Sequence, residues 1–462
     1  MLRSHLLAAG GREVPFPGPA DLILVNTCAV TAPALAQSRQ AVRRALRGAP
    51  GAMVVVTGCG VQLDPQTFAA IPGVGHVLGN AAKERLPALL PALLRRAGTG
   101  TPGPSSSGAA EAAAAGRGGE VGPAAAAHCA GSSPAPTPVV TPSAVDWQAD
   151  PTRTRFLGRA VAAHAARTRA WLKIQDGCDQ ACAYCIVHRL RGRPLSRPPD
   201  EVIDEARALA GAGWREIVLT GVNLGLYGRE PGAPAGAVLP ALIRRLARLP
   251  GLARLRLSSL EPMTIDEALI KTLAEEPKLC PSLHLALQSA DDGVLRRMGR
   301  PYRAAQMRSL LQHLAARVDG LGLGVDVIAG FPGESEAAFA RTLAFLEDSP
   351  VTYLHAFAYS ERPGTPAATW SEVIAPAERK ERVARLRELD ERLRRRFQRR
   401  LAGRQGEILL ESSADGGGVG YSEAFMRVFC PGATGGTGRL LCVRLTPGPD
   451  AWHMCGQPLG EE

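Results

Sequence analysis

Short apolar runs alternate with amphipathic stretches in the N-terminal part of the chain. Two of these runs, each ending at a polar residue or a glycine, predict buried strands at Leu22–Asn26 and Met53–Thr57. Ala34–Leu46 and Ala81–Arg95 have the apolar spacing of helices. Because alternating strands and helices favour a parallel sheet, we expect an open parallel α/β domain over residues 1–97.

A more regular alternation of apolar runs and helical patterns extends from about residue 167 to residue 370. Six strand–helix units of this kind predict a TIM-like partial (β/α)6 barrel, with an open doubly wound sheet as the alternative. The predicted strands are Ala170–Ile174, Ile217–Leu219, Leu255–Leu257, Leu283–Leu287, Gly324–Ile328 and Tyr353–Ala358. The helices between them include Asp200–Ala212, Ile265–Leu273, Ala304–Leu314 and Glu336–Leu346.

The pattern changes again towards the C-terminus. A long charged helix is predicted at Ala377–Arg404, so the barrel and this helix together would occupy residues 151–402. Short apolar runs joined by glycine-rich turns follow. They predict a small β-barrel of about 60 residues at 403–462, a size suited to nucleic-acid-binding modules.

Residues 98–150 are low in complexity and consist mainly of Ala, Gly, Pro and Ser. Large apolar side chains are almost absent there, so the segment cannot offset the entropy that ordering would cost. We expect a disordered linker, in which Cys129 is an incidental thiol.

Composition narrows the class of protein. No stretch approaches the ~18 apolar residues of a membrane span, and we expect no secretory signal. The net charge of +11 favours an anionic partner such as nucleic acid, although solvated arginine-rich helix faces would give the same balance. Ten cysteines, three of them clustered, indicate metal or cluster ligation in a reducing compartment, and we expect a cytoplasmic protein.

The most specific chemical signal is the spacing Cys178-x3-Cys182-x2-Cys185 after the first barrel strand. Three thiolates in one loop can ligate three irons of a [4Fe–4S] cluster. The fourth iron can then bind S-adenosylmethionine (SAM) and cleave it to a 5′-deoxyadenosyl radical. The alternative is a Cys3His zinc site that includes His188.

Polar motifs follow all six predicted barrel strands, where active sites of such barrels gather. A tyrosine in the cysteine loop is a candidate for packing on the SAM adenine. Polar side chains at strand ends are candidates for hydrogen bonds to SAM, and glycine-rich turns can admit a ligand to backbone amides. Each residue also suits a structural role. The candidate cofactor-binding residues are Tyr184, Gly221, Glu261, Gln288, Gly330 and Phe331.

Two further cysteines, Cys28 and Cys59, directly follow the two predicted N-terminal strands. Ligands of open α/β sheets bind beyond the carboxyl ends of strands, so we expect these thiols to converge, although unrelated buried thiols are common. Basic residues form a stripe on the next predicted helix, which either contacts phosphates or is simply a face exposed to solvent. Its members are Arg39, Arg43, Arg44 and Arg47.

The order of these parts resembles the radical SAM methylthiotransferase family, over nearly the whole chain except the linker. Within the family the chain is most similar to the MtaB branch. The motifs that carry the similarity are NTCAVT, SRQAVRRALR, KIQDGC, EIVLTGVN, DVIAGFPGE, YSERPGTPAA and GYSEAFMRVF.

This resemblance implies a function. Members of the branch add a methylthio group to C2 of N6-threonylcarbamoyladenosine, beside the tRNA anticodon. Cys178, Cys182 and Cys185 would hold the radical SAM cluster, and Cys28 and Cys59 an auxiliary [4Fe–4S] cluster. The C-terminal domain resembles a TRAM module that grips tRNA, and a flavodoxin or ferredoxin would supply electrons.

The chain departs from the family pattern at one important position. The auxiliary cluster of the family has three cysteine ligands, and the first of them, with its strand, is absent before Cys28. Either the natural start lies upstream, or two cysteines hold the cluster. The missing cysteine leaves a non-catalytic RNA-binding relative as one alternative. A separate alternative is a methylthiotransferase that acts on isopentenyl-adenosine tRNA or on a ribosomal-protein aspartate.

Overall fold

The computed structural model describes residues 6–7, 10–29, 31–80, 82, 168–236, 238–414, 416–433 and 436–459. The expected linker lies outside these residues, as does the predicted helix Ala81–Arg95 apart from Ala82. Packing divides the chain into two compact units. The smaller unit comprises Arg12–Thr27 and Ala36–Trp147, and the larger comprises Met1–Gly11, Cys28–Leu35 and Gln148–Glu462.

The N-terminal sheet has three parallel strands in the order β1 (Leu22–Thr27), β2 (Met53–Gly58) and β3 (Val74–Leu78). Helix α1 (Ala32–Gly48) follows β1. The central strand is buried from its second residue onward, as its continuous valines predict for a strand covered on both faces. The predicted parallel sheet is confirmed, and β3 is an addition to it. Two short helices lie between β2 and β3, α2 at Cys59–Leu63 and α3 at Pro65–Ala69.

Six parallel strands of the larger unit follow one another in chain order. They form two three-stranded sheets, and a parallel bridge between Leu260 and Leu285 joins the third strand region to the fourth strand. The predicted α/β fold with parallel strands is confirmed. The strands are β4 (Arg169–Lys173), β7 (Glu216–Thr220), β8 (Arg254–Leu257), β9 (Ser282–Gln288), β10 (Gly322–Ala329) and β11 (Tyr353–Ala358). A short antiparallel pair, β5 (Gln175–Asp176) and β6 (Leu195–Ser196), flanks the cysteine loop.

Helices cover the outside of these strands, and leucine fills most of the core between the two layers. Side-chain oxygens of Asp266, Asp291 and Ser335 accept backbone N–H bonds and so cap three of the helices. The helices are α4 (Val187–Arg191), α5 (Pro199–Gly211), α6 (Leu239–Ala247), α7 (Glu267–Glu275), α8 (Asp292–Arg297), α9 (Ala304–Arg317) and α10 (Glu336–Glu347). None of the helices in the described part of the chain is long and apolar enough to cross a membrane.

The long charged helix α11 occupies Pro376–Leu401 and leads into a closed five-stranded barrel. Its Phe397 and Leu401 belong to the apolar core of that barrel, together with Ile408 and Val443. The predicted small β-barrel is thus confirmed. Its strands are β12 (Gln405–Ala414), β13 (Gly417–Ser422), β14 (Arg427–Pro431), β15 (Leu440–Pro447) and β16 (His453–Pro458).

Buried arginines connect the small barrel to the first residues of the large barrel's strands. Arg254 Nε donates to Glu407 Oε1 at 2.9 Å, and Arg256 Nη1 donates to the carbonyl oxygen of Glu423 at 2.9 Å. Glu216 accepts from Arg256 Nε at 2.8 Å. The small barrel therefore contacts the amino ends of the strands. The cysteine motif lies at the opposite, carboxyl ends.

Candidate active site

The cysteine loop begins with a turn that only glycine can form. Gly177 has φ of 75°, and a Cβ at this position would lie 2.0 Å from the Arg193 carbonyl oxygen. Backbone bonds then fix the loop: Cys178 N donates to Gly192 O at 3.1 Å, and Ala183 N donates to Met298 O at 3.0 Å. The positions of the three thiols are therefore set largely by the backbone.

Each sulfur of the motif receives a nitrogen donor. Asn223 Nδ2 lies 3.9 Å from the sulfur of Cys178, and the backbone N–H of Val187 donates to that of Cys185 at 3.4 Å. Arg300 Nη1 lies 3.3 Å from the sulfur of Cys182. Donors of this kind stabilise anionic thiolates and tune the clusters that thiolates bind.

The three thiols do not converge on the position of a single metal ion. A tetrahedral zinc at about 2.3 Å from each sulfur holds the sulfurs roughly 3.8 Å apart. Among the described residues, neither these thiols nor a set that includes His188 forms a group with ligand atoms all within 4.8 Å of one another. Thiolates that bind separate irons of a cube stand farther apart, and three cysteines are a donor set that [4Fe–4S] clusters use.

Burial favours the protonated form of two of the three thiols, Cys178 and Cys185. Burial raises the pKa of Cys185 to about 11. Burial also raises the pKa of Cys178, although hydrogen bonds to its sulfur act in the opposite direction. A cluster held by these thiols would bind them as thiolates, so its binding would release their protons.

Arg300 is the central polar residue beside the loop, although no sequence motif pointed to it. Its Nη2 donates to the carbonyl oxygen of Ala286 at 2.9 Å and also bonds Glu261 Oε2. Its Nε donates to Tyr302 Oη at 3.0 Å. Burial raises the pKa of Glu261, while the charge of Arg300 opposes that effect. This arginine thus joins a cluster-loop sulfur to the ends of β8 and β9.

Gln175 couples the loop after β7 to the cysteine loop. Its Oε1 accepts from Asn223 N at 2.8 Å, and its Nε2 donates to the carbonyl oxygen of Gly177 at 2.8 Å. A Cβ on Gly221 would lie 2.7 Å from Gln175 Oε1, so glycine permits this approach. Gly221 thus lies against Gln175, its predicted role in cofactor binding stays a prediction, and the neighbouring Asn223 reaches the sulfur of Cys178.

The AGFPGE turn contributes an aromatic side chain, and the amide of its first glycine after the strand is bonded within the turn. Phe331 is fully buried, and its ring lies edge-on to Tyr184 at 6.3 Å between centroids. The N–H of Gly330 donates to Glu334 Oε2 at 2.6 Å, and Arg382 donates to the same oxygen at 2.8 Å. The Gly330 amide is therefore already satisfied inside the turn.

Gln288 ends β9 in a backbone conformation that non-glycine residues seldom adopt. Its φ is 66°, and its side chain is buried. Such a conformation costs of order 1 kcal/mol and is typical of functional positions, where surrounding structure maintains it. The structure places Gln288 at the carboxyl end of β9, and its role in SAM binding stays a prediction.

Cys59 directly follows the end of β2, where β2 packs closely against β1. Gly58 has φ of 110°, and a Cβ there would lie 2.3 Å from the Thr27 carbonyl oxygen, so glycine is required. Thr27 Oγ1 donates to the carbonyl oxygen of Thr57 at 2.7 Å. Asn80 Nδ2 lies 3.7 Å from the Cys59 sulfur, which repeats the amide–thiol pairing of Asn223 and Cys178.

Cys28 belongs to the larger unit and lies near the loop after β11. It is close enough to Arg362 for their charges to interact, and the buried guanidinium donates to Ser360 Oγ at 3.1 Å. The same loop reaches the cysteine motif, because Ala367 N donates to the carbonyl oxygen of Ala183 at 2.9 Å. One loop therefore contacts both the Cys28 segment and the CxxxCxxC loop.

Sequence reasoning missed Arg300, Asn80 and Arg362. Arg362 stands in YSERPGT, a motif that was noted without a role for this residue. Arg300 and Asn80 follow α8 and β3, which the apolar pattern did not reveal. Their only signal is a polar residue next to glycine or proline, in MGRP and LGNA, and that signal is common in ordinary turns.

Comparison with known proteins supports one family. The chain matches the Radical SAM superfamily over residues 172–346 and the uncharacterized protein family UPF0004 over residues 1–79. In fold it is similar to the radical SAM methyltransferase TsrM of Kitasatospora setae, with a TM-score of 0.52 at 17% identity over 79% of this chain and 66% of that chain.

Curated relatives extend the match to nearly full length. The threonylcarbamoyladenosine tRNA methylthiotransferase MtaB of Bacillus subtilis is 32% identical, over 95% of this chain and 88% of that protein. The tRNA-2-methylthio-N(6)-dimethylallyladenosine synthase of Frankia alni is 34% identical, over 88% of this chain and 73% of that protein. Together with the parallel barrel and its cysteine loop, these matches show that the chain belongs to the radical SAM tRNA methylthiotransferase family.

Proposed function

We propose that this enzyme converts N6-threonylcarbamoyladenosine in tRNA to its 2-methylthio derivative. We assign Cys178, Cys182 and Cys185 as ligands of the radical SAM [4Fe–4S] cluster. The observation that carries this assignment is the set of three buried or half-buried sulfurs at the carboxyl ends of the strands, each with its own nitrogen donor. The near full-length similarity to the Bacillus subtilis protein supports the choice of substrate.

The cofactors that the family implies supply a carbon-centred radical, which can take hydrogen from an unactivated C–H bond. The residues of this chain position and shield them. Arg300 holds the Cys182 sulfur and Glu261 in one arrangement, and Tyr184 and Phe331 exclude water from that side. Gln288, in its strained conformation, and Glu261 are the polar side chains that we assign to SAM binding.

We assign Cys28 and Cys59 to an auxiliary cluster that supplies the sulfur. Cys59 is supported by the amide of Asn80, which is placed like the amide beside Cys178. The assignment of Cys28 is supported by the nearby guanidinium of Arg362 on the loop after β11.

Exposed basic residues supply a surface for the anionic tRNA. Arg43, Arg44 and Arg47 are exposed on α1, as expected for phosphate contacts. On the small barrel, Arg427 and Phe429 alternate outwards along β14, a combination suited to phosphates and bases. We assign the small barrel as a TRAM-like tRNA-binding module. A flavodoxin or ferredoxin is our proposed electron donor, and the cytoplasm is our proposed location.

The test is nucleoside analysis of tRNA by mass spectrometry in a strain that lacks the gene. Wild-type protein is expected to restore 2-methylthio-N6-threonylcarbamoyladenosine, and Cys185→Ser is expected to abolish it. Cys442→Ser is the matched control, because Cys442 is exposed on the small barrel and should leave activity unchanged. Appearance of 2-methylthio-isopentenyladenosine instead would assign the enzyme to the substrate of the Frankia alni relative.

A second experiment separates the two cluster sites. Reconstituted wild-type protein should hold about eight irons per chain, and Cys59→Ser or Cys28→Ser about four. These two variants should still cleave SAM to 5′-deoxyadenosine but transfer no methylthio group. Loss of SAM cleavage in both variants, with unchanged iron, would contradict the assignment.

A further inference from the structure

Three polar side chains interrupt the apolar strands on the inner face of the barrel. His284 lies on β9, Asp326 on β10 and His355 on β11. Asp326 and His355 are register partners, and His284 pairs with Gly324 two residues before Asp326. Leu283 and Leu285, which flank His284, point into the core beneath the helices. Strand alternation therefore directs all three polar side chains away from that core.

The distances within this His–Asp–His cluster match those of ligands around one metal ion. Asp326 Oδ1 lies 3.4 Å from His284 Nε2 and 3.5 Å from His355 Nδ1. The ligand atoms of the three residues all lie within 4.8 Å of one another. Nitrogen and oxygen ligands at about 2.1 Å from a tetrahedral zinc stand roughly 3.4 Å apart.

The second ring nitrogen of His284 has a hydroxyl neighbour that can accept a hydrogen bond from the ring. Ser259 Oγ lies 2.9 Å from His284 Nδ1. Within the described residues, the buried Nε2 atom has no hydrogen-bond partner. A hydroxyl on one ring nitrogen fixes the orientation of the ring and leaves the other nitrogen for a metal.

We propose that His284, Asp326 and His355 bind one divalent first-row transition-metal ion. Two imidazoles and one carboxylate suit zinc and its neighbours better than magnesium or calcium. Three protein ligands leave a fourth position for water or for an oxygen of a bound substrate. His355 also lines a cavity of about 350 Å³ between the barrel and the small β-barrel.

The site is distinct from the cysteine loop but close to its polar support. Asp326 lies near enough to Glu261 for its charge to act on that carboxyl group. Glu261 in turn bonds Arg300, which contacts Cys182. The ion would therefore lie deeper in the barrel than the proposed SAM pocket.

Cobalt absorption tests the proposal, because it reports the ligand type as well as binding. The full-length wild-type chain, titrated anaerobically with Co²⁺, should show visible d–d bands of a nitrogen–oxygen site at one ion per chain. His355→Ala and Asp326→Asn should weaken this signal by about tenfold or more, and Ser259→Ala should weaken it by roughly tenfold. His355 is 47% exposed, so its replacement should not unfold the barrel.

His313→Ala is the matched control, since His313 is exposed and pairs with Glu267 on the outer helices. It should bind Co²⁺ like the wild type. Only thiolate-to-cobalt charge-transfer bands, or equal d–d signals from wild type and His355→Ala, would overturn the proposal. The titration contains neither tRNA nor SAM, so its result does not depend on the proposed methylthiotransferase activity.

Discussion

At the scale of single residues, Arg300 determines how the polar groups of the candidate active site are joined. Its guanidinium contacts a cysteine sulfur, a carboxylate, a backbone carbonyl and a phenol at the same time. Only a planar side chain with five donors can do this, because a lysine ammonium is a point charge with three donors.

We therefore expect Arg300→Lys to separate cluster binding from catalysis. Iron content should stay close to wild type, because all cysteines remain. The rate of SAM cleavage should fall by about 10- to 100-fold, as when other residues that orient metal ligands are changed. Anaerobic assays of 5′-deoxyadenosine, with iron measured on the same samples, provide the check.

Arg296→Lys is the control for this prediction, because Arg296 is exposed on α8. It should cleave SAM at the wild-type rate. Full activity of Arg300→Lys would mean that the several simultaneous contacts of Arg300 are not needed for the reaction.

At the scale of secondary-structure elements, the end of β2 is fixed by the close approach of β1. Gly58 and Thr27 are register partners, and the glycine Cα lies against the threonine backbone. The short helix that begins with Cys59 starts from this point, and its Val61 N donates to Thr27 Oγ1 at 3.0 Å. The position of Cys59 thus follows from the packing of two strands.

Gly58→Ala should therefore damage the Cys59 site without touching its thiol. A Cβ would meet both the N and O atoms of Thr27 at 2.5 Å or less and would also need a left-handed φ. We expect a loss of about 2 kcal/mol or more in stability of this unit and about four irons per chain instead of eight.

SAM cleavage by Gly58→Ala should persist. Gly51→Ala is the matched control, because a Cβ at Gly51 meets no atom within 4 Å. It should retain both clusters. Wild-type iron content in Gly58→Ala would show that this strand contact does not position Cys59.

The elements that sequence could predict are those with long or repeated apolar patterns. The run Leu22–Asn26 extends by only one residue in the structure, and the predicted charged helix Ala377–Arg404 begins at Pro376 and ends at Leu401. The short strand β3, which contains Gly75 and His76, lacks such a pattern. The residues of the candidate site also fall into two groups, those in a local sequence pattern and those without one.

Cysteines in a local motif were readable from sequence, whereas Arg300 depends on the distant register of strands. The His–Asp–His cluster had a usable signal, a polar residue inside each of three consecutive apolar strands: LHLAL, VDVI and LHAF. Its significance becomes visible only when the strands are placed side by side. Such a juxtaposition is a property of topology, which no short window of sequence contains.

At the scale of the whole larger unit, a buried carboxylate with two arginines connects the large barrel to the small one. Glu216 pairs with Arg256 and lies 3.6 Å from Arg254, and both arginines also bond carbonyl oxygens of the small barrel. Burial alone would raise the pKa of Glu216, but Arg256 and its other basic neighbours hold that pKa below its usual value.

This arrangement predicts an acid-sensitive connection. Ionised Glu216 stabilises the folded chain above the usual pKa of 4.5, and the contribution is lost as pH falls through the lower folded-state pKa. Glu216→Gln should cost about 3–5 kcal/mol near neutral pH, because it leaves buried arginines without their counter-charge. The difference in melting temperature between wild type and variant should therefore narrow below pH 4.5.

Glu407→Gln is the control for the pH series. Glu407 also pairs with Arg254 but is 42% exposed, so the expected cost is at most about 1 kcal/mol. If the difference in melting temperature between wild type and Glu216→Gln stays constant from neutral to acidic pH, the charge of the Glu216 carboxylate is not what stabilises the connection.

Helix α11 makes the two ends of the larger unit mechanically dependent on each other. Near its start, Arg382 donates a hydrogen bond to a backbone carbonyl oxygen in the turn after β10, and Arg379 does so in the turn after β11. Near its end, Gln398 donates to the carbonyl oxygens of Asp450 and His453 in the small barrel. A helix of 26 residues is about 39 Å long and stiff, so a displacement of the small barrel would be transmitted to the turns that follow β10 and β11.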